Sequence, residues 1–229
     1  MVLSLFNNIK AILFDFGGTL DSDGGHWLDR FYDIYVKEGL AVPFEKLKDA
    51  FYWADEICCN KPEVNSFGLK SLIDYHVKLQ FDRLGLKQSI SSVANPFYKS
   101  MLYYLKRNFN LLKKLRSFYK LCIVSNFYGN LPVICEDIGI SRFVDVILDS
   151  ERIGLRKPDT RIFKKALDLI EEVPEKAVFV GDSYERDMIP CKSIGMKVVW
   201  LKGTRPRVPK DAPRVDLEIT NLMQLNSFL

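Results

Sequence analysis

Short, mostly apolar runs closed by polar or glycine-bearing turns recur along this chain. Ala11 to Phe14, Leu121 to Val124, Val144 to Leu148, Ala177 to Val180 and Lys197 to Leu201 are four or five residues each. Runs of this length without strict polar alternation predict strands of a parallel sheet covered on both faces. Helical spacing lies between them. Leu131 to Ile138 predicts a helix stopped by Gly139. Thr160 to Glu172 predicts one that buries Ile162, Phe163, Ala166, Leu167 and Ile170. Glu185 to Ile194 predicts one closed by Gly195. Leu217 to Leu229 reads as a short strand and a helix. Strand and helix in alternation imply a parallel sheet flanked by helices.

One stretch breaks this rhythm. From His26 to about Arg107 the pattern predicts helices and no strand. Trp27, Phe31, Ile34 and Tyr35 recur at three- and four-residue spacing. Pro43 opens a second helix carrying Leu47, Phe51 and Ile57. Pro62 to Gly68 reads as a loop. Leu69, Leu72, Ile73, His76 and Leu79 form a third face ending near Gly85. Tyr98 to Tyr119 reads as a long helical stretch interrupted near Asn108-Phe109-Asn110. The expected architecture is a three-layer α/β sandwich with a parallel Rossmann-like sheet and an inserted, mainly helical cap domain. Residues 1–22 and 98–229 would form the core, and 23–97 the cap.

Composition narrows the function classes. The chain has 229 residues, 48% apolar and 27% charged, which suits a packed core rather than disorder. A net charge of +4 demands no nucleic-acid partner. The five cysteines are odd in number, contain no Cys-x-x-Cys, and include the adjacent pair Cys58-Cys59. This usage predicts reduced thiols in a cytoplasm-like compartment rather than a disulfide framework or zinc site. Met1 to Phe6 lacks a basic segment and a small-residue cleavage site, so no signal peptide is expected. No apolar run approaches membrane-spanning length, so no membrane partner is expected. The oligomeric state leaves no mark in the sequence.

Polar groups fall at the ends of the predicted strands: Asp15, Ser125 with Asn126, Lys157 after a strand, and Asp182. Strand ends of a parallel sheet share one edge, where such folds bind ligands. Asp15 and Asp182 are two carboxylates able to share Mg²⁺, which prefers oxygen ligands. Ser125 offers a hydroxyl and Lys157 a positive charge. Together they describe a site for a dianion such as phosphate.

Four stretches carry a resemblance: Asp15-Phe16-Gly17-Gly18-Thr19-Leu20; Ser125-Asn126; Arg156-Lys157-Pro158-Asp159 with Arg161-Ile162-Phe163; and Gly181-Asp182-Ser183-Tyr184-Glu185-Arg186-Asp187. In this order the chain resembles the haloacid dehalogenase-like (HAD) hydrolase superfamily, with the helical insertion similar to its type 1 cap. The resemblance implies Asp15 as a nucleophile forming an aspartyl-phosphate, Ser125 as a phosphoryl ligand and Lys157 as a stabiliser of charge. It implies Mg²⁺ held by Asp15, the Gly17 carbonyl and Asp182. Asp187 would orient Lys157 or a metal-bound water. Asn126, Thr19 and His26 are candidate substrate contacts, and the substrate would be a small phosphorylated molecule.

The pattern departs from the family at one position. Its phosphatases carry Asp two residues after the nucleophile, as general acid and base; here that residue is Gly17. Losing such a group costs ~10²–10⁴ in rate. Three readings stay open: substrates with good leaving groups, a substitute such as Asp21, Asp23 or His26, or a weakened, phosphate-binding regulatory protein. His26 alternatively packs or caps the first insertion helix. A 2-haloacid dehalogenase-like hydrolase also lacks the second Asp, but its chemistry would leave the acidic stretch at Asp182 without a role. The basic segment with Lys202, Arg205, Arg207, Lys210 and Arg214 reads as a solvated connection.

Overall fold

A computed structural model describes residues 6–228. The reading of Met1 to Phe6 falls, Phe6 aside, outside those residues, as does Leu229 at the end of the tail. Six parallel strands form one sheet in the order β3-β2-β1-β4-β5-β6. They are β1 (Ala11–Phe14), β2 (Lys120–Ser125), β3 (Val146–Asp149), β4 (Ala177–Gly181), β5 (Lys197–Leu201) and β6 (Leu217–Ile219). β1 lies at the centre, with Leu13 opposite Cys122 on one side and Phe179 on the other.

The two faces of β1 feed two cores. Ile12 and Phe14 join Ile123, Val178, Val180 and Val199 on one face. Ala11 and Leu13 join Cys122, Val124, Phe179 and Val198 on the other. Both faces are apolar because both are covered by helices, which explains the unalternated runs. On the first face lie the C-terminal half of α4 (Ser91–Arg116) and α5 (Leu131–Asp137). On the second lie α7 (Thr160–Leu169) and α8 (Ile189–Ser193), with Ile162, Phe163, Ala166 and Cys191 turned inward. A single turn, α6 (Ser150–Ile153), follows β3.

Between β1 and β2 the chain forms α1 (Trp27–Lys37), α2 (Phe44–Asn60), α3 (Leu69–Leu84) and then α4. Phe31, Phe97 and His76 pack face to face at its centre, with Phe31 and Phe97 3.9 Å apart and Phe31 and His76 5.8 Å apart. The insertion therefore has an aromatic core of its own, continuous with the first face of the sheet.

Two expectations need correction. The long helix is not interrupted at Asn108-Phe109-Asn110; α4 runs unbroken from Ser91 to Arg116. Asn108 is tolerated there because its buried amide donates to the Leu20 carbonyl at 2.9 Å. Phe109 packs on Phe143 at 5.5 Å. The expected boundary at 97/98 thus lies within a continuous helix. Pro62–Ser66 is a short helical turn rather than an open loop. The tail is the expected short strand, β6, and a short, tight helix, Leu222–Ser227, opened by an Asn221–Gln224 capping box.

Candidate active site

The carboxyl ends of β1, β2 and β4 meet at one crevice. β1 ends at Asp15, whose amide donates to the Val180 carbonyl of β4 at 3.0 Å. The Asp15 side chain is 8% exposed. Its Oδ1 accepts from Ser125 Oγ at 2.8 Å and from Lys157 Nζ at 2.7 Å. Oδ2 has no hydrogen-bond partner among the described residues.

Lys157 does not directly follow its strand. α6 and a loop lie between, and Asn126 holds that loop against β2. The Lys157 amide donates to Asn126 Oδ1 at 2.8 Å, and Asn126 Nδ2 donates to the Lys157 carbonyl at 2.9 Å. Asn126 therefore borders the cavity, but its amide group positions Lys157. Lys157 Nζ also lies 2.7 Å from Asp187 Oδ1, a charge contact off the line of a hydrogen bond. Burial disfavours the ammonium, but Asp15 and Asp187 outweigh it and the pKa rises above the usual lysine range. Lys157 stays charged.

Asp182 follows β4 and Asp187 sits one helical turn later. Carboxylate oxygens of Asp15, Asp182 and Asp187 all lie within 4.8 Å of one another. Burial first, then repulsion from Asp15 and Asp187, drives the Asp182 pKa well above the ordinary carboxylate range. Burial likewise raises Asp187 to about 6, with Lys157 opposing. Two buried carboxylates and a half-buried one beside one ammonium are short of positive charge, and all-oxygen donors suit a hard divalent cation. The residues present fit such an ion.

Two glycines allow this crowding. Gly18 has φ +89°, and a Cβ there would fall 2.5 Å from Asp182 Oδ2. At Gly181 a Cβ would fall 2.4 Å from Asp187 Oδ2. Gly17 differs: its backbone is extended (φ −75°, ψ 121°), and a Cβ would meet only Trp27 Nε1, at 3.5 Å. Gly17 borders the cavity and has room for a side chain.

The candidate substitutes for the missing acid separate clearly. Asp21 accepts from the Gly18 amide at 2.6 Å, from Trp27 Nε1 at 2.6 Å and from Arg30 at 2.9 Å. Asp23 forms a two-pronged pair with Arg107, both contacts at 2.7 Å. Neither reaches the cavity. His26 does line it. Its Nδ1 accepts from the Leu28 amide at 3.2 Å, which leaves the ring proton on Nε2. Burial, then the nearby charges of Arg186 and Arg207, lowers its pKa to about 4. At neutral pH His26 is an uncharged hydrogen-bond donor and helix cap. Thr19, a candidate substrate contact, is fully buried off the cavity, and its hydroxyl has no partner among the described residues. The turn that frees Asp15 faces Thr19 into the core.

The cavity holds about 100 Å³, the scale of a small ligand. Asp15, Gly17, Ser125, Lys157 and Asp182 form its floor. Trp27, Phe51, Tyr52 and Asp55 of the insertion line the cavity too, as do Phe127, Tyr128, Ser183 and Arg186 of the core loops. Asp55, Tyr128 and Arg186 have no role in the expected motifs. A signal for Asp55 was present, since it lies four residues after Phe51 and shares its side of α2.

Converging loops on a parallel sheet, a held aspartate and an acidic triad define an acidic ligand-binding crevice at the carboxyl edge of an α/β sheet. The profile of the haloacid dehalogenase-like hydrolase family matches residues 59–201, and the chain belongs to that family. It is 30% identical over 207 residues to a glyceraldehyde 3-phosphate phosphatase of Pyrococcus abyssi, covering 85% of this chain and 82% of that protein. It is 40% identical over 90 residues to haloacid dehalogenase-like hydrolase domain-containing protein 3 of Bos taurus, covering 39% of this chain and 36% of that protein. The latter match thus spans about a third of the relative's length. Among solved structures, a dehalogenase in an intermediate complex matches with TM-score 0.65 and 18% identity over 97% of both chains. A HAD phosphatase from Thermococcus onnurineus matches with TM-score 0.55 and 22% identity, over 96% of this chain and 97% of that one. At such identities these structures bear on the fold alone.

Proposed function

We propose that this protein is a Mg²⁺-dependent phosphatase of small phosphorylated molecules, working through an aspartyl-phosphate on Asp15. The observation that carries the reading is the asymmetry of Asp15. One oxygen is held by Ser125 and Lys157 while the other has no partner, beside two further carboxylates. The acidic triad supports phosphoryl transfer over dehalogenation, since without a cation the three carboxylates only repel one another. The phosphatase relatives agree with it.

Asp15, the Gly17 carbonyl and Asp182 would hold Mg²⁺, which when bound offsets negative charge on the phosphoryl group. Asp15 Oδ2 attacks phosphorus, and the bond from phosphorus to the leaving oxygen breaks. Lys157 and Ser125 stay on Oδ1 and keep the carboxylate aimed. Water then attacks the acyl phosphate at phosphorus, releasing phosphate and restoring Asp15. Gly17 stands where the family's phosphatases carry the second Asp, so the leaving oxygen takes its proton from water. That favours good leaving groups such as acyl phosphates, phosphoanhydrides and aryl esters. The helical insertion, residues 23–97, acts as a type 1 cap that covers the site and selects substrate.

The test is turnover of p-nitrophenyl phosphate with Mg²⁺. Wild type hydrolyses it slowly, Asp15→Asn abolishes hydrolysis, and Gly17→Asp raises the rate by ~10²-fold or more. No turnover in wild type and Gly17→Asp alike would leave a phosphate-binding protein instead. Release of chloride from 2-chloropropionate would favour the dehalogenase reading.

A further inference from the structure

Asp55 lies on α2 in the insertion and lines the same cavity as Asp15. A line of hydrogen bonds runs to it through the insertion. Tyr35 OH donates to Gln80 Oε1 at 3.0 Å. Gln80 Nε2 donates to His76 Nδ1 at 2.7 Å. That leaves the His76 proton on Nε2, which donates to Asp55 Oδ1 at 3.0 Å. Tyr128 OH, from the loop after β2, donates to the same oxygen. Tyr35, His76 and Gln80 are buried, so each donor and acceptor is fixed by its neighbour.

The result is a carboxylate held by neutral donors through one oxygen. Among the described residues no lysine or arginine pairs with Asp55, and Oδ2 has no hydrogen-bond partner. The rings of Trp27, Phe51, Tyr52 and Tyr128 line the same cavity. Trp27 and Tyr128 lie 6.4 Å apart, and Phe51 and Tyr52 5.3 Å. Aromatic faces with a fixed carboxylate make a recognition site for an organic cation. Asp55 lacks a counter-ion that a ligand can bring.

We propose that Asp55 is a specificity-determining residue, binding an ammonium or similar cationic group on the leaving-group side of the phosphoryl substrate. The preferred substrates are then small phosphorylated zwitterions that carry the cation on a good leaving group and fit the cavity. This rests on the phosphatase reading for the phosphoryl end only. Tyr128 and His76 are positioning residues that hold Asp55 toward the ligand.

The test compares 3-aminopropylphosphonate with butylphosphonate, non-hydrolysable isosteres that differ in ammonium for methyl. Affinities are measured calorimetrically with Mg²⁺ on wild type, Asp55→Asn and Tyr128→Phe. The amine binds wild type about tenfold more tightly. Asp55→Asn brings the ratio within about twofold, and Tyr128→Phe lowers it partway. Equal affinities in wild type, binding of neither compound, or a ratio unchanged in Asp55→Asn would overturn the proposal. Should Asp55→Asn fail to fold, an unchanged ratio in Tyr128→Phe would do so. Loss of the phosphatase reading is seen separately, as absent p-nitrophenyl phosphate turnover, because the ratio is read from binding.

Discussion

Gly18 and Gly17 are neighbours with opposite requirements. Gly18 needs positive φ and leaves no space for a Cβ beside Asp182, whereas Gly17 has ordinary backbone and open space. Gly18→Ala should cost about 1–3 kcal/mol and weaken metal binding. Gly17→Ala should be neutral or stabilise by about 0.4–1 kcal/mol, through the unfolded chain. Urea denaturation of both decides; equal effects would contradict the difference in backbone. His26 bears on pH. Its pKa of about 4 lies below the usual 6.5, so the unfolded chain takes up a proton that the folded one resists. Its contribution is complete above pH 6.5 and is lost as pH falls toward about 4, up to about 3 kcal/mol. His26→Asn keeps an acceptor for the Leu28 amide but cannot titrate. Stability of the two proteins, followed by denaturation between pH 4 and 7, should diverge as the wild type loses this increment. Parallel curves would exclude the effect.

At the scale of elements, α4 ties the insertion to the sheet. Asn108 in its middle grips the Leu20 carbonyl at the end of the turn after Asp15. Arg107 beside it grips Asp23, which also accepts from the Leu222 amide of the tail at 3.0 Å. Asn108→Ala strands a buried carbonyl and should cost about 1–3 kcal/mol. Thermal unfolding measures this, and an unchanged midpoint would show that water replaces the amide. The basic loop after β5, expected as a solvated connection, reaches the insertion: Arg205 pairs with Asp33 at 2.7 Å and Arg207 with Asp29 at 3.0 Å. Strand ends, helix faces and the insertion's helices were legible because their periodicities are local. The loop's partners lie more than 170 residues away, and no local period encodes them. The continuity of α4 was obscured for the same reason, since Asn108 is excused from breaking the helix by a carbonyl 88 residues earlier.

For the whole molecule, folding pushes three carboxylates together against a single lysine. A divalent cation bound there would therefore stabilise the fold. Mg²⁺ at a hundred times its dissociation constant should add about 2.7 kcal/mol, or roughly 5–10 °C in midpoint. EDTA should reverse the gain, and Asp182→Asn should abolish it. A midpoint indifferent to Mg²⁺ would remove the metal from the site. Among the described residues no helix is long and apolar enough to cross a membrane.

By itself the sequence determined the sheet, the helical insertion and the residues at the strand ends, because each is written in short-range pattern and strand ends share an edge. Tertiary structure alone decided what surrounds them. It buried Thr19 away from the cavity, gave Asp21 and Asp23 to Arg30 and Arg107, and left His26 uncharged. It brought Asp55 of α2 into the lining of the cavity that holds Asp15. Those outcomes depend on how the insertion sits over the sheet, a long-range packing that no neighbouring residue specifies.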